Sequence, residues 1–311
     1  MPEKQLLQIN VDLNCDYKCE RCEKFFECRD EMKWKIYGRR RMARAARTMA
    51  KIKKKVAIGG GKGGSGKSTM TANLATALAM MGKKVSVLDQ DFDGSTIPKL
   101  FGTMGKKLKI GERGLVPVEG LLGIQMISLG SVQKQGEVIT MFHEMRRGTT
   151  EEFLAHVDYG ERDYLLVDLP PGTSSDACNL MQYIPDLHGT VIVTVPSQVS
   201  QIAARKASLL SMRADVRVLG IIENMSGYIC HKCGNNFDVM QRGGGERLAR
   251  ELEVPFLGRV PLHPQLSEAS DAGVPFVYKY PDNLGSKAVM EIARKLDEFL
   301  DEIIEKESQQ E

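Results

Sequence analysis

Nine consecutive residues constrain this chain more than any others: Gly61-Lys62-Gly63-Gly64-Ser65-Gly66-Lys67-Ser68-Thr69. They follow a short β-branched run at 56–58 and precede a helical run that ends near Gly82. The order is strand, glycine loop, helix, the setting a phosphate-binding loop requires. Glycines let successive backbone N–H groups turn inward on phosphate oxygens. Lys67 then reaches the β and γ phosphates, and the Ser68 hydroxyl is offered to Mg²⁺. A glycine-rich turn without ligand is the plain alternative, and the full match in this context weighs against it.

The rest of the chain fits an α/β fold around that loop. Short apolar runs at 56–58, 84–88, 124–129, 164–169, 191–195 and 217–222 alternate with helix candidates at 68–81, 174–183 and 198–212. Nearly continuous apolar strands separated by helices predict a mostly parallel, doubly wound sheet with helices on both faces. In the last stretch, 286–306, Val289, Ile292, Leu296, Phe299, Leu300 and Ile303 recur at helical spacing. This helix is expected to dock on the sheet, since anionic lipid would repel its acidic polar face. No apolar run reaches membrane length and no secretory leader is read at the start, so a cytoplasmic location without membrane contact is expected.

Charge divides the 311 residues further. Residues 33–55 hold eleven Lys and Arg and no acid, so a chain of net charge +3 is about minus eight outside this run. The expected organisation is a Cys-rich extension at 1–32, a basic connector at 33–54, the P-loop domain at 55–304 and an acidic tail at 305–311. Arg39, Arg40, Arg41, Arg44, Arg47, Lys51, Lys53, Lys54 and Lys55, set around Met42, Ala46 and Met49, read as a cationic helix. Such a helix suits nucleic acid, an acidic partner or a docked acidic tail, and a solvated linker helix suits the pattern equally. Trp34 and Tyr37 are too few for a base-stacking platform.

Two carboxylates complete the expected nucleotide site. Asp168 ends an apolar strand and precedes Leu169-Pro170-Pro171-Gly172-Thr173, where a P-loop protein keeps the carboxylate that supports Mg²⁺ from behind its direct ligands, and a switch loop. Asp91 lies in Asp89-Gln90-Asp91-Phe92-Asp93-Gly94 and is the choice for orienting the attacking water, with Asp89 and Asp93 as alternatives. One of the three is expected to be only a loop cap.

Lys62 is not demanded by the ordinary P-loop. A second lysine there resembles the deviant Walker A class of the MinD, ParA and nitrogenase iron-protein ATPases. That resemblance implies a homodimer with two sandwiched ATP molecules, Lys62 reaching the partner's nucleotide as a cation supplied in trans. The larger combination resembles the Mrp/Nbp-type (ApbC-like) ATPases, which bind and transfer iron-sulfur clusters. It comprises the loop, Asp89 to Gly94 with Ile97-Pro98, Asp168 to Gly172, Glu223-Asn224-Met225-Ser226, Cys230-His231-Lys232-Cys233, and Gly243-Gly244-Gly245 before Leu248-Ala249. The resemblance spans about Lys55 to Pro264. It implies that Asn224 reads the adenine edge and that Cys230 and Cys233 hold a transferable cluster. Ser65 departs from the family's usual valine, and Asp93, Ser95 and Thr96 replace a commoner Tyr-Gly-Pro-Ser sequence.

Six of the seven cysteines fall in two clusters. Cys230 and Cys233 give two thiolates where a [4Fe-4S] cluster takes four, so two subunits on a two-fold axis would complete one bridging cluster. Zinc in a half zinc ribbon is the competing chemistry. Cys15-x3-Cys19-x2-Cys22-x5-Cys28 is self-sufficient and is expected to hold a second [4Fe-4S] cluster. Its first three cysteines share the spacing of radical S-adenosylmethionine enzymes, but the P-loop begins too soon after them to leave room for that barrel. Eukaryotic-type Nbp proteins resemble this chain at Cys19, Cys22 and Cys28, while the gap after Cys15 is shorter here. Cys178 reads as core, and no histidine is assigned to metal.

The expected function is an ATP-dependent iron-sulfur cluster carrier or assembly scaffold, slow in intrinsic hydrolysis because the site awaits dimer closure and has no strong general base. Its partners would be a second copy, apo iron-sulfur client proteins and a hetero-partner scaffold. The alternatives are a ParA/MinD-like positioning ATPase that uses the basic run on DNA, or a zinc-binding P-loop regulator.

Overall fold

Val56 and Ile58 pack to one side of a central strand and Ala57 to the other, and all three are fully buried. This strand delivers the glycine loop. The computed structural model describes residues 28, 32–132, 141–172, 177, 180–181, 183–229, 233, 235–237, 239 and 241–309. The principal elements are α1 (Met32–Met49), β1 (Ile52–Gly59), α2 (Lys67–Met80), β2 (Val85–Asp89), β3 (Val118–Glu119), β4 (Gln125–Ile127) and α3 (His143–His156). They continue as β5 (Arg162–Asp168), β6 (Gly189–Thr194), α4 (Gln198–Arg213), β7 (Val218–Ile229), β8 (Asn236–Phe237), α5 (Gly244–Glu251), β9 (Phe256–Leu262) and α6 (Leu284–Ser308).

Among the described residues nine strands form one sheet in the order β8-β7-β6-β1-β5-β2-β4-β3, with β9 also paired to β7. Only β3 and β8 run antiparallel to their neighbours. β1 lies between β5 and β6, and the chain builds outward from it on both sides, so the glycine loop opens at the topological switch point. One face of the sheet is covered by α2 and α6, the other by α1 and α3. The doubly wound architecture is as expected from the alternating runs.

The C-terminal helix buries Val289, Ile292, Leu296, Leu300 and Ile303 against the sheet. It is also anchored by charge. Tyr164 Oη donates to Asp297 Oδ1 at 2.7 Å, Lys83 Nζ lies 2.7 Å from Asp297 Oδ2, and Lys54 also pairs with Asp297. Burial alone would raise this carboxyl, but the bonds from Lys54, Lys83 and Tyr164 outweigh it and hold Asp297 at about 2.

The basic run is not one helix. α1 ends at Met49 and β1 starts at Ile52, so Lys53, Lys54 and Lys55 are strand residues. The buried side chains of Ile52, Val56 and Ile58 and the pairing to β5 and β6 prevail over the charge pattern. Lys53 Nζ meets Asp163 at 2.9 Å, Lys54 Nζ meets Asp301 at 2.7 Å, and Lys55 Nζ donates to the Ile52 carbonyl at 3.1 Å. α1 itself buries Ala45 and Met49, one helical turn apart, on the sheet and α3. Other boundaries shift modestly. β4 covers only 125–127, β7 runs beyond 222 to Ile229, and the helix expected at 174–183 lies mostly outside the described residues.

Candidate nucleotide and metal site

The glycine loop is shaped by close approaches that exclude side chains. Gly66 caps α2 with φ 82°, and a Cβ there would come within 2.2 Å of Asn224 Nδ2. At Gly61 a Cβ would come within 1.9 Å of the Ala203 backbone in α4. The loop is thus wedged between β7 and α4. Ser65 is buried and its hydroxyl has no partner, so the position that departs from valine gains nothing from being polar.

Three residues of α2 converge on Asp168 at the end of β5. Lys67 Nζ donates to Asp168 Oδ1 at 3.0 Å, Thr71 Oγ1 to the same oxygen at 2.9 Å, and Ser68 Oγ to Oδ2 at 2.6 Å. Asp168 is fully buried. Burial pushes its carboxyl up, against the Lys67 charge and the three bonds. A hydroxyl beside a buried carboxylate is a hard oxygen donor pair that fits Mg²⁺, while an ammonium and glycine N–H groups fit a polyphosphate. Thr71 was not anticipated. It sits one helical turn after Lys67, a spacing that only the packing of α2 on β5 makes relevant.

The three neighbouring aspartates have three different surroundings. Asp89, the strand partner of Asp168, is fully buried and accepts from Ser95 Oγ at 2.6 Å and Ser128 Oγ at 3.0 Å. Burial first, and the Asp168 charge second, push its carboxyl from the ordinary 3.8 up to about 7. Asp91 is half-buried and accepts from the Gly94 N–H at 3.1 Å. Asp93 is exposed and pairs with Arg146 at 2.6 Å.

Asn224, expected to face adenine, donates its amide to the Ser65 carbonyl at 2.9 Å. The residue before it belongs to the same motif, where the sequence alone assigns it no role. Glu223 is fully buried and accepts from the backbone N–H of Gly243 at 2.9 Å, from the N–H of Gly245 and from Ser226 Oγ. Arg259 Nε lies 3.5 Å away. Glu223 therefore clamps the start of α5 onto the middle of β7, and the chain between these two elements includes Cys230 and Cys233. The Gly243-Gly244-Gly245 run has its reason here, because a Cβ on Gly245 would press within 2.9 Å of Glu223 Cβ.

Cys233 is exposed and Cys28 is half-buried. Cys15, Cys19, Cys22, Cys178 and Cys230 lie outside the described residues, as does His231. Among the described residues no group of three or more His, Cys, Asp or Glu has metal-holding geometry. Lys62 and the loop glycines Gly63 and Gly64 are exposed, and Thr69 is half-buried on α2.

A profile of the ParA family, described as NUBPL iron-transfer P-loop NTPase, matches residues 51–297. The chain belongs to this family. The iron-sulfur cluster carrier protein of Methanocaldococcus jannaschii is 42% identical over 264 residues, covering 85% of this chain and 90% of its own. The bovine (Bos taurus) cytosolic Fe-S cluster assembly factor NUBP2 is 36% identical over 253 residues, covering 80% and 93%. Among solved structures, a nucleotide-binding protein of Archaeoglobus fulgidus in complex with ADP superposes with a TM-score of 0.68 at 36% identity. That match covers 76% of this chain and 93% of the other. This NUBPL-type chain has, among its described residues, no helix long and apolar enough to cross a membrane.

Proposed function

We propose that the chain is a cytoplasmic, ATP-binding and slowly ATP-hydrolysing iron-sulfur cluster carrier. It would work as a homodimer that holds one [4Fe-4S] cluster through Cys230 and Cys233 of each copy and delivers it to apo-proteins. The convergence of Lys67, Ser68 and Thr71 on the buried Asp168 carries the nucleotide half of this reading. The names of the two relatives support the cargo half.

Lys67 Nζ lies 3.0 Å from Asp168 Oδ1. Lys67 would reach the β and γ phosphates of ATP, and Ser68 and Asp168 would hold Mg²⁺. The cation supplies neutralisation of charge on the phosphate oxygens. Asp91 orients the attacking water, and Lys62 reaches the nucleotide of the partner copy. Asn224, bonded to the loop at Ser65, would read the adenine edge. Cys15, Cys19, Cys22 and Cys28 would hold a second cluster, and a hetero-partner scaffold would be a further partner.

The DNA-positioning alternative is disfavoured by an observation in α1. Arg41 pairs with Glu151 and Glu152, and Arg44 Nε donates to the Ala155 carbonyl at 3.1 Å, so both are engaged within the fold. Calorimetry with Mg²⁺-ATP tests the nucleotide reading. Lys67→Ala should weaken binding by about tenfold or more, as loss of a charge-assisted contact does. Unchanged affinity would remove the site from this loop.

A further inference from the structure

The loop that carries Asp91 is held from outside the nucleotide site. Gln90 is 2% exposed, and its Oε1 accepts from Thr150 Oγ1 at 2.8 Å. Asp93 accepts from Arg146 Nη2 at 2.6 Å. Asp91 therefore lies between two residues tethered to one face of α3, where Arg146 and Thr150 are one helical turn apart. Those two tethers come from a helix that contributes nothing else to the expected nucleotide site.

The other side of α3 is gripped by α1. Arg41 bonds Glu151 and Glu152, and Glu151 is 2% exposed. The Ala155 carbonyl accepts from both Arg44 Nε at 3.1 Å and Thr48 Oγ1 at 3.3 Å. α1 is itself fixed to the root of β1, because Lys55 Nζ donates to the carbonyls of Met49 at 3.3 Å and Ile52 at 3.1 Å. A continuous set of bonds thus runs from the basic run through α3 to the residues on either side of Asp91.

We propose that α1 is a brace for hydrolysis: it presses α3 into the position from which Thr150 and Arg146 place Asp91 against the attacking water. This rests on the reading of Asp91 as the residue that orients that water. Thr150 and Arg146 are positioning residues, and the basic run acts on turnover through Arg41, Arg44 and Thr48. The inference is physical: an orienting group displaced by about 1 Å loses about 10²-fold in rate, while phosphate binding, which Asp91 does not share, is untouched. Coupling is reciprocal, so a nucleotide that orders the Asp91 loop also acts back on α1.

The test uses the full-length chain. Arg41→Ala, Thr150→Val, Asp93→Asn and the Arg41→Ala/Thr150→Val double variant are compared for nucleotide affinity, kcat and emission of Trp34. Trp34 is the single tryptophan and lies on α1. Each single variant is expected to lower kcat by about tenfold with affinity within about twofold, and the double variant to be no slower than the slower single, since both cut one path. Asp93→Asn weakens an exposed tether by removing its charge while leaving an acceptor oxygen, and keeps the test valid where Thr150→Val fails to fold. Trp34 emission should change on adding Mg²⁺-ATP to wild type and stay constant in Asp93→Asn and Thr150→Val. Folded variants with wild-type kcat, or strictly additive losses, overturn the brace. A wild type that binds nucleotide but never hydrolyses it defeats the reading of Asp91 instead. In that case Trp34 still decides the brace, a nucleotide-dependent change upholding it and a constant signal overturning it.

Discussion

Asp89 and Asp168 face each other across neighbouring parallel strands, both fully buried, and of the two it is Asp168 that accepts from Lys67. Two carboxylates side by side in a low-dielectric site do not ionise equally. The one with the cation takes the charge, and the other is satisfied by Ser95, Ser128 and the Asp91 N–H. The end of the sheet therefore has one acid ready for a cation and one whose proton is held until about pH 7.

That division predicts a pH dependence of stability. Asp89 is raised from 3.8 to about 7 in the fold. Between those values the unfolded chain has lost a proton that the folded chain keeps, so this group's contribution falls as pH rises from about 4 to about 7 and is flat beyond. Urea unfolding across this range should show the fall in wild type and a loss of that component in Asp89→Asn. The same slope in both proteins would place the titration elsewhere.

Lys62 is exposed on the loop, as a residue that serves the opposite subunit would be. Lys62→Ala should bind nucleotide normally and lose about 10³-fold in hydrolysis, the scale of a cation supplied in trans. Mixing Lys62→Ala with Asp91→Asn protein then discriminates. A mixed dimer recovers one intact site if Lys62 acts across the interface, and none if it acts within its own subunit.

Glu223 ties β7 to α5 through two backbone N–H groups and Ser226. Glu223→Gln turns one of its acceptor oxygens into a donor facing those groups, and should destabilise the fold by about 1–3 kcal/mol. Urea unfolding measures it. The same variant should also lose bound iron faster than wild type on exposure to a chelator, because the two elements flanking the cysteine segment are loosened from each other. Wild-type stability together with wild-type iron release would leave the clamp without consequence.

What could be read in the sequence was local in origin. The loop, its strand and its helix are specified by residues that are neighbours in the chain, and the alternation of Val56, Ala57 and Ile58 already gives both faces of β1. What escaped depends on register and tertiary packing. Thr71 matters because α2 lies along β5, Asp89 meets Asp168 because β2 pairs with β5, and Glu223 finds Gly243 across the intervening segment. The basic run misled for the same reason: its lysines at 53–55 are paired strand residues, and Arg41 and Arg44 lie against α3. Charge spacing carries no information on which acids the fold will bring to it.

The central claim is a cluster held between two copies, and its most direct measurement is the iron, sulfide and visible absorption of anaerobically purified protein beside a Cys230→Ala/Cys233→Ala variant. The account predicts that wild type carries more iron than the N-terminal cysteines can hold, and that the variant loses about four irons per dimer while keeping the rest. Equal iron, sulfide and absorption in both proteins would contradict it.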